Sequence, residues 1–82
     1  MTSTEADGPS LNDRVAAEIR AEMGRQRVSQ RALAGRMGVS HTWVSYRLTS
    51  QQRLDLDDVE RFATALQVPL AQLVPVAEAA AR

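Results

Sequence analysis

The chain has 82 residues, enough for one domain with one modest core. Its formal net charge is zero, 44% of its residues are hydrophobic, and it has no cysteine, one histidine and one each of Trp, Tyr and Phe. Disulfides and thiolate metal sites are thereby excluded, and the lone His41 cannot build a metal cage. The core must be largely aliphatic. No apolar run approaches the length of a membrane span, and the polar start Met1–Ser10 does not resemble a signal peptide. A soluble cytoplasmic protein without a membrane partner is the expectation.

Zero net charge conceals a strong segregation. Between Glu22 and Asp55 there is no acid, while Arg25, Arg27, Arg31, Arg36, Arg47 and Arg53 all fall in that window. Residues 1–23 hold Arg14 and Arg20 against five acids, and residues 54–82 hold Arg61 and Arg82 against another five. A positive middle between two negative ends suits a polyanionic partner such as nucleic acid.

Residues 1–9 are small and polar and include Gly8-Pro9, the pattern of a mobile tail. Ser10, three residues before Asp13, is placed to cap a first helix. Leu11, Val15, Ile19 and Met23 then recur every four residues as one apolar stripe, with Gly24 as the expected stop and residues 25–28 as a connector. Ser29 should cap a short second helix over residues 30–37, with Leu33, Ala34 and Met37 facing inward. Gly38 follows where a left-handed residue is needed. Ser40 should cap a third helix ending near Leu48 or Thr49, and Thr49–Arg53 reads as a polar loop.

Asp55 is the expected cap of a fourth helix, with Asp57 and Asp58 in its first turn, where the helix dipole favours acids. Leu54 and Val59 have the spacing of a hydrophobic staple across that cap. Val59, Phe62, Ala63 and Leu66 should face the core. Pro69 can open a fifth helix whose Leu70, Leu73 and Val74 complete it. Residues 76–82 are alanine-rich, either a further helix or a frayed end. The expected fold is therefore all-α, about five short helices over residues 10–75 between a tail (1–9) and an extension (76–82).

Residues 30–49, QRALAGRMGVSHTWVSYRLT, carry the informative pattern. Ala34 permits close helix approach, Gly38 makes the turn, Val39 fills the corner, and Val44 and Leu48 anchor the second helix of the pair. That arrangement holds two short helices at a steep angle and leaves one projecting. The segment resembles the helix-turn-helix of the lambda-repressor-like (phage Cro/C1, XRE) family. The preceding helix and the L-x-x-V-x-x-F-A-x-A-L-x-V run from Leu56 to Val68 agree with it. The resemblance spans roughly residues 11–74. In the family a glycine usually follows the recognition helix. Here Thr49-Ser50 stand there, leaving open whether the helix runs on or turns differently, and Gln67 stands in place of glycine after the fourth helix.

Removing the anchors from the third helix leaves Thr42, Ser45, Tyr46 and Thr49 on one stripe. With His41 and Ser40, these are the residues expected to reach base edges in the major groove, and the resemblance implies the same set. Thr and Ser hydroxyls can donate or accept, and Tyr46 offers a ring for a thymine methyl or a sugar. Gln30 stands at a helix N-terminus suited to a phosphate, a role the family commonly gives to Gln there. Arg25, Arg27 and Arg31 surround it, and Gln51, Gln52 and Arg53 follow the third helix, with Arg47 on its side. These eight are the expected phosphate contacts, and four to six arginines so used predict a log–log salt slope of roughly −4 to −5. Arg36 is expected to stand apart, as a surface or intramolecular residue. Trp43 is expected to pack on another helix, with a wedge on the sugar–phosphate edge or a dimer contact as the alternatives.

The resemblance implies a sequence-specific regulator of transcription bound to duplex DNA, a repressor or Cro-like protein of phage or mobile-element type. It implies possible homodimerisation on a palindromic operator and a place on the nucleoid. No cofactor, small-molecule ligand or catalytic role is expected, since the serines have no second histidine or buried base beside them. An antitoxin or a protein-interaction module using the same helix-turn-helix is the alternative reading.

Overall fold

The computed structural model describes residues 9–75, and within them five helices and no strand. They are α1 (Leu11–Gln26), α2 (Gln30–Met37), α3 (His41–Leu48), α4 (Leu56–Leu66) and the single turn α5 (Leu70–Leu73). The expected tail, apart from Pro9, and the extension 76–82 lie outside the described residues.

Each of the first four helices starts where a side chain can accept an otherwise unsatisfied amide. Ser10 accepts from Asp13 N at 3.1 Å, Ser29 from Ala32 N at 3.0 Å and Ser40 from Trp43 N at 3.0 Å. Asp55 and Asp58 form a reciprocal capping box, at 2.7 Å to Asp58 N and 3.2 Å from Asp55 N. Each such cap stabilises its helix by about 1 kcal/mol. Leu54 packs on the core beside the last of them, as a staple should.

The helix ends follow one pattern too. Arg27, Gly38, Ser50 and Gln67 all adopt the left-handed conformation, with φ of 58°, 71°, 62° and 58°. After each, the next amide reaches back to the carbonyl five residues earlier: Val28 to Met23 (3.0 Å), Val39 to Ala34 (3.1 Å), Gln51 to Tyr46 (2.8 Å) and Val68 to Ala63 (3.0 Å). This is the Schellman closure, which in three cases plants a valine on the core. It corrects one expectation and answers one question left open. α1 does not stop at Gly24 but runs to Gln26, because the closure is organised by Val28 and needs its left-handed residue at 27. The ends of α3 and α4 turn without glycine, Ser50 and Gln67 taking the left-handed position themselves.

The core draws on every helix: Val15, Ile19 and Met23; Leu33 and Ala34; Val44 and Leu48; Val59, Phe62, Ala63 and Leu66; and Leu73. Leu11 is 51% exposed and Leu70 45%, so the stripe of α1 starts at Val15 and α5 contributes Leu73 as its buried residue. Both outliers sit on the first turn of their helices. Pro69 stands just before α5 as its cap residue rather than inside it, its carbonyl accepting from Gln72 N at 2.9 Å.

Candidate nucleic-acid interface

The inner side of α3 is locked. Val44 and Leu48 are fully buried, and the Trp43 ring lies 5.8 Å from that of Phe62 at an interplanar angle of 33°. The Arg47 guanidinium lies over the indole, 3.9 Å from the ring centroid. Its Nε donates to Asp58 Oδ2 at 3.1 Å and its Nη1 to the Trp43 carbonyl at 3.3 Å. Arg47 was expected among the phosphate contacts. Instead its charge neutralises a carboxylate that α4 buries to cap its own first turn, so the guanidinium is held inside the fold.

The outer side is open. Ser40, His41, Thr42, Tyr46 and Thr49 are exposed, and Ser45 is half-buried at the stripe's edge. None of them is an Asp, Glu, Lys or Arg, and none has a long flexible side chain. Besides Ser40, whose Oγ caps the helix, Thr49 has its hydroxyl engaged: Oγ1 donates to the Ser45 carbonyl at 2.8 Å and accepts from Gln51 Nε2 at 3.0 Å. Gln51 and Gln52 are exposed, and both their amides bond the Tyr46 carbonyl, at 2.8 and 3.1 Å, folding the loop back on the last turn of α3.

The arginines divide into two groups. Arg36 Nη1 donates to the Ala65 carbonyl at 3.2 Å and Arg61 Nη2 to the Met37 carbonyl at 3.4 Å, each satisfying the C-terminal end of the other's helix. Arg36 is thus the intramolecular residue foreseen for it. Arg20 reaches the Leu48 carbonyl at the end of α3. Arg25 pairs with Glu22 at 2.8 Å, which removes much of the charge it was expected to offer a phosphate. Arg14, Arg27, Arg31 and Arg53, all exposed, make no side-chain hydrogen bond or ion pair among the described residues. Arg27 precedes α2, Arg31 lies in its first turn next to half-buried Gln30, and Arg53 lies in the loop after α3.

That loop is clamped from α1. Asn12 Oδ1 accepts from Leu54 N at 2.8 Å, and Ser50 Oγ donates to Asp13 Oδ1 at 2.6 Å. The Ser50 hydrogen bond is the chief reason the Asp13 carboxyl titrates below its ordinary range, outweighing the opposing effect of burial. At the far end of α1, Glu22 accepts from Gln26 (2.8 Å), Arg25 (2.9 Å) and Gln72 (2.9 Å), and Gln26 also donates to the Leu66 carbonyl at 2.7 Å. Gln26 first, then Arg25, holds the Glu22 carboxyl below the usual range. Asn12, Asp13 and Arg20 thus hold α3 and its loop, a role the sequence did not reveal. Their partners lie 28 to 42 residues away, and no local pattern announces such pairings.

Comparison with known proteins adds the decisive observation: a model of the helix-turn-helix domain matches residues 14–75. The chain belongs to the helix-turn-helix domain family. The helix-turn-helix expected within residues 30–49 is therefore borne out, and its general class is that of a DNA-binding regulator. Among solved structures, the chain is similar to a hypothetical transcription factor, NHTF, from Neisseria, at 26% identity and a TM-score of 0.76 over 88% of this chain and 83% of that one. It shares its fold with the clp gene regulator ClgR from C. glutamicum, at 21% identity and a TM-score of 0.76 over 80% and 86% of the two chains. It shares it also with the restriction-modification controller protein C.AhdI from Aeromonas hydrophila, at 23% identity and a TM-score of 0.69 over 74% and 92%. No curated protein matches the chain. Among the described residues, no helix is long and apolar enough to cross a membrane.

Proposed function

We propose that the protein is a sequence-specific transcriptional regulator, most simply a repressor of Cro-like type, that inserts α3 in the major groove of duplex DNA. One observation carries this reading: a short-chain, nearly uncharged outer side of α3, flanked in sequence by arginines that the fold leaves uncommitted. Ser40, His41, Thr42, Ser45 and Tyr46 are the base-reading residues. Gln30, Arg27, Arg31, Gln52 and Arg53 hold phosphates and set the register, with Arg14 as a further candidate. Three to four uncommitted arginines per subunit give a salt slope of about −3 to −4, shallower than all six arginines of the acid-free window would give.

Repression then follows from occlusion of a promoter, on a palindromic operator read by two copies with half-sites about 34 Å apart. Leu70, exposed at the start of α5, supports an association surface for the second copy there. The cytoplasm, on the nucleoid, is the matching location. The test is selection from random duplex DNA at two salt concentrations, followed by sedimentation of the complex. A recovered motif with two-fold symmetry and salt-sensitive affinity is expected; recovery of no motif and salt-independent affinity would contradict the proposal.

A further inference from the structure

The reading side of α3 contains no Asn, Gln or Arg that could grip a base with two hydrogen bonds, but the loop behind it supplies one. The Thr49 hydroxyl has a single proton, and it is committed to the Ser45 carbonyl at 2.8 Å. Oγ1 can then only accept, so the group that Gln51 presents to it at 3.0 Å must be the amide nitrogen. That fixes which way round the Gln51 amide lies. One N–H is taken by Thr49, and the other N–H and Oε1 remain open on an exposed side chain. A donor beside an acceptor on one planar group matches adenine, whose major-groove edge offers the N7 acceptor and the N6 donor.

The backbone supports the same placement. In α1, α2 and α4 the residue after the left-handed position is a valine turned onto the core, whereas after α3 that position is Gln51, turned outward and fastened to the last turn of the helix. Its own amide is bound to the carbonyl of Tyr46, the aromatic residue of the reading side, at 2.8 Å. The geometry points to Gln51 as a specificity-determining residue that reads an adenine, with Thr49 as its positioning residue rather than a base contact in its own right. This rests on the major-groove reading proposed above. It moves Gln51 from the phosphate contacts to the base contacts and takes Thr49 off the base contacts, leaving it to position Gln51.

The experiment uses the full chain and the duplex operator recovered by random selection, together with every single-base-pair variant of it, in anisotropy titrations. Wild-type protein should prefer an A·T pair at one position by about 5- to 150-fold. Gln51→Ala should flatten the preference at that position and keep the others. Thr49→Val should flatten the same position, and Thr49→Ser should restore it, with melting curves confirming that each variant is folded. The assignment is overturned if Gln51→Ala weakens every sequence equally, as loss of a phosphate contact would, or changes nothing. It is equally overturned if Thr49→Val flattens a different position, since Thr49 would then read its own base. Failure of wild-type protein to select any motif would overturn the proposed function instead, and would be seen before any variant is made.

Discussion

The two sides of α3 are built from different residues and treated in opposite ways: bulky apolar groups and one arginine inside, short polar groups and a tyrosine outside. On the inner side, Trp43, Val44, Arg47 and Leu48 are all committed, down to the guanidinium of Arg47 between an indole and a carboxylate. On the outer side, one turn away, Thr42 and Tyr46 have no partner among the described side chains, and even Thr49 is bound only to its own helix and loop. The arginines repeat the contrast: those near α4 and the end of α1 are used to close helix ends and neutralise acids, while Arg27, Arg31 and Arg53 are left available. Under the function proposed above, rigidity on one side lets the other side present short polar groups accurately, since a base edge must be met within about 0.5 Å.

The largest effect should come from breaking the inner side. Asp58→Ala removes half of the capping box and the partner of a mostly buried arginine, so we expect a loss of roughly 2–3 kcal/mol in stability by urea unfolding. If the loss were under about 0.5 kcal/mol, an ordinary surface value, Arg47 would not be held as described. By contrast, Tyr46→Ala should change stability by no more than about 0.5 kcal/mol while relaxing base preference by about 1–3 kcal/mol at the position it reads. A variant that lost stability without changing preference would place Tyr46 on the structural side of the helix.

Acid should act on the clamps at both ends of α1. The Glu22 and Asp13 carboxyls titrate below their ordinary range in the fold, through Gln26 and Arg25 in one case and Ser50 in the other. The stability they contribute is therefore fully present above the unfolded carboxylate range, near pH 4, and is lost as pH falls through the lowered folded values. Melting temperature should be flat from neutral pH down to about pH 5 and then fall, and Glu22→Gln should make that fall shallower. A steeper fall in the variant would reverse the sign of the account. The smallest effect belongs to the helix ends: Gln67→Gly should raise stability by up to about 1 kcal/mol by relieving a left-handed side-chain-bearing residue.

Much of this was legible in the sequence, and the parts that were not share a cause. Caps and turns are local: Ser29, Ser40, Asp55 and Gly38 each announced their elements within four residues, and α2 and α3 fall where those signals put them. The end of α1 was misjudged because Gly24 is a strong local signal, whereas the closure at Arg27 depends on Val28 finding the core. The outer stripe of α3 was recoverable by subtracting the anchors. The fate of individual arginines was not. Arg36 and Arg47 differ from Arg31 and Arg53 only in what lies opposite them in the folded chain, and charge density along a sequence says nothing of that. The acid-free window therefore overstated the number of uncommitted arginines, with Arg25 and Arg47 paired to Glu22 and Asp58 and Arg36 bonded to the Ala65 carbonyl.

The claim at the centre of this account is that division of the arginines, and one measurement addresses it. The log–log salt slope of operator affinity should be compared for wild-type protein, Arg31→Ala and Arg47→Met. We expect about −3 to −4 per subunit for wild type, a value shallower by about 1 for Arg31→Ala, and an unchanged slope for Arg47→Met at whatever affinity it retains. A slope reduced as much by Arg47→Met as by Arg31→Ala would show that Arg47 meets a phosphate, and would contradict the separation of the two sides of α3.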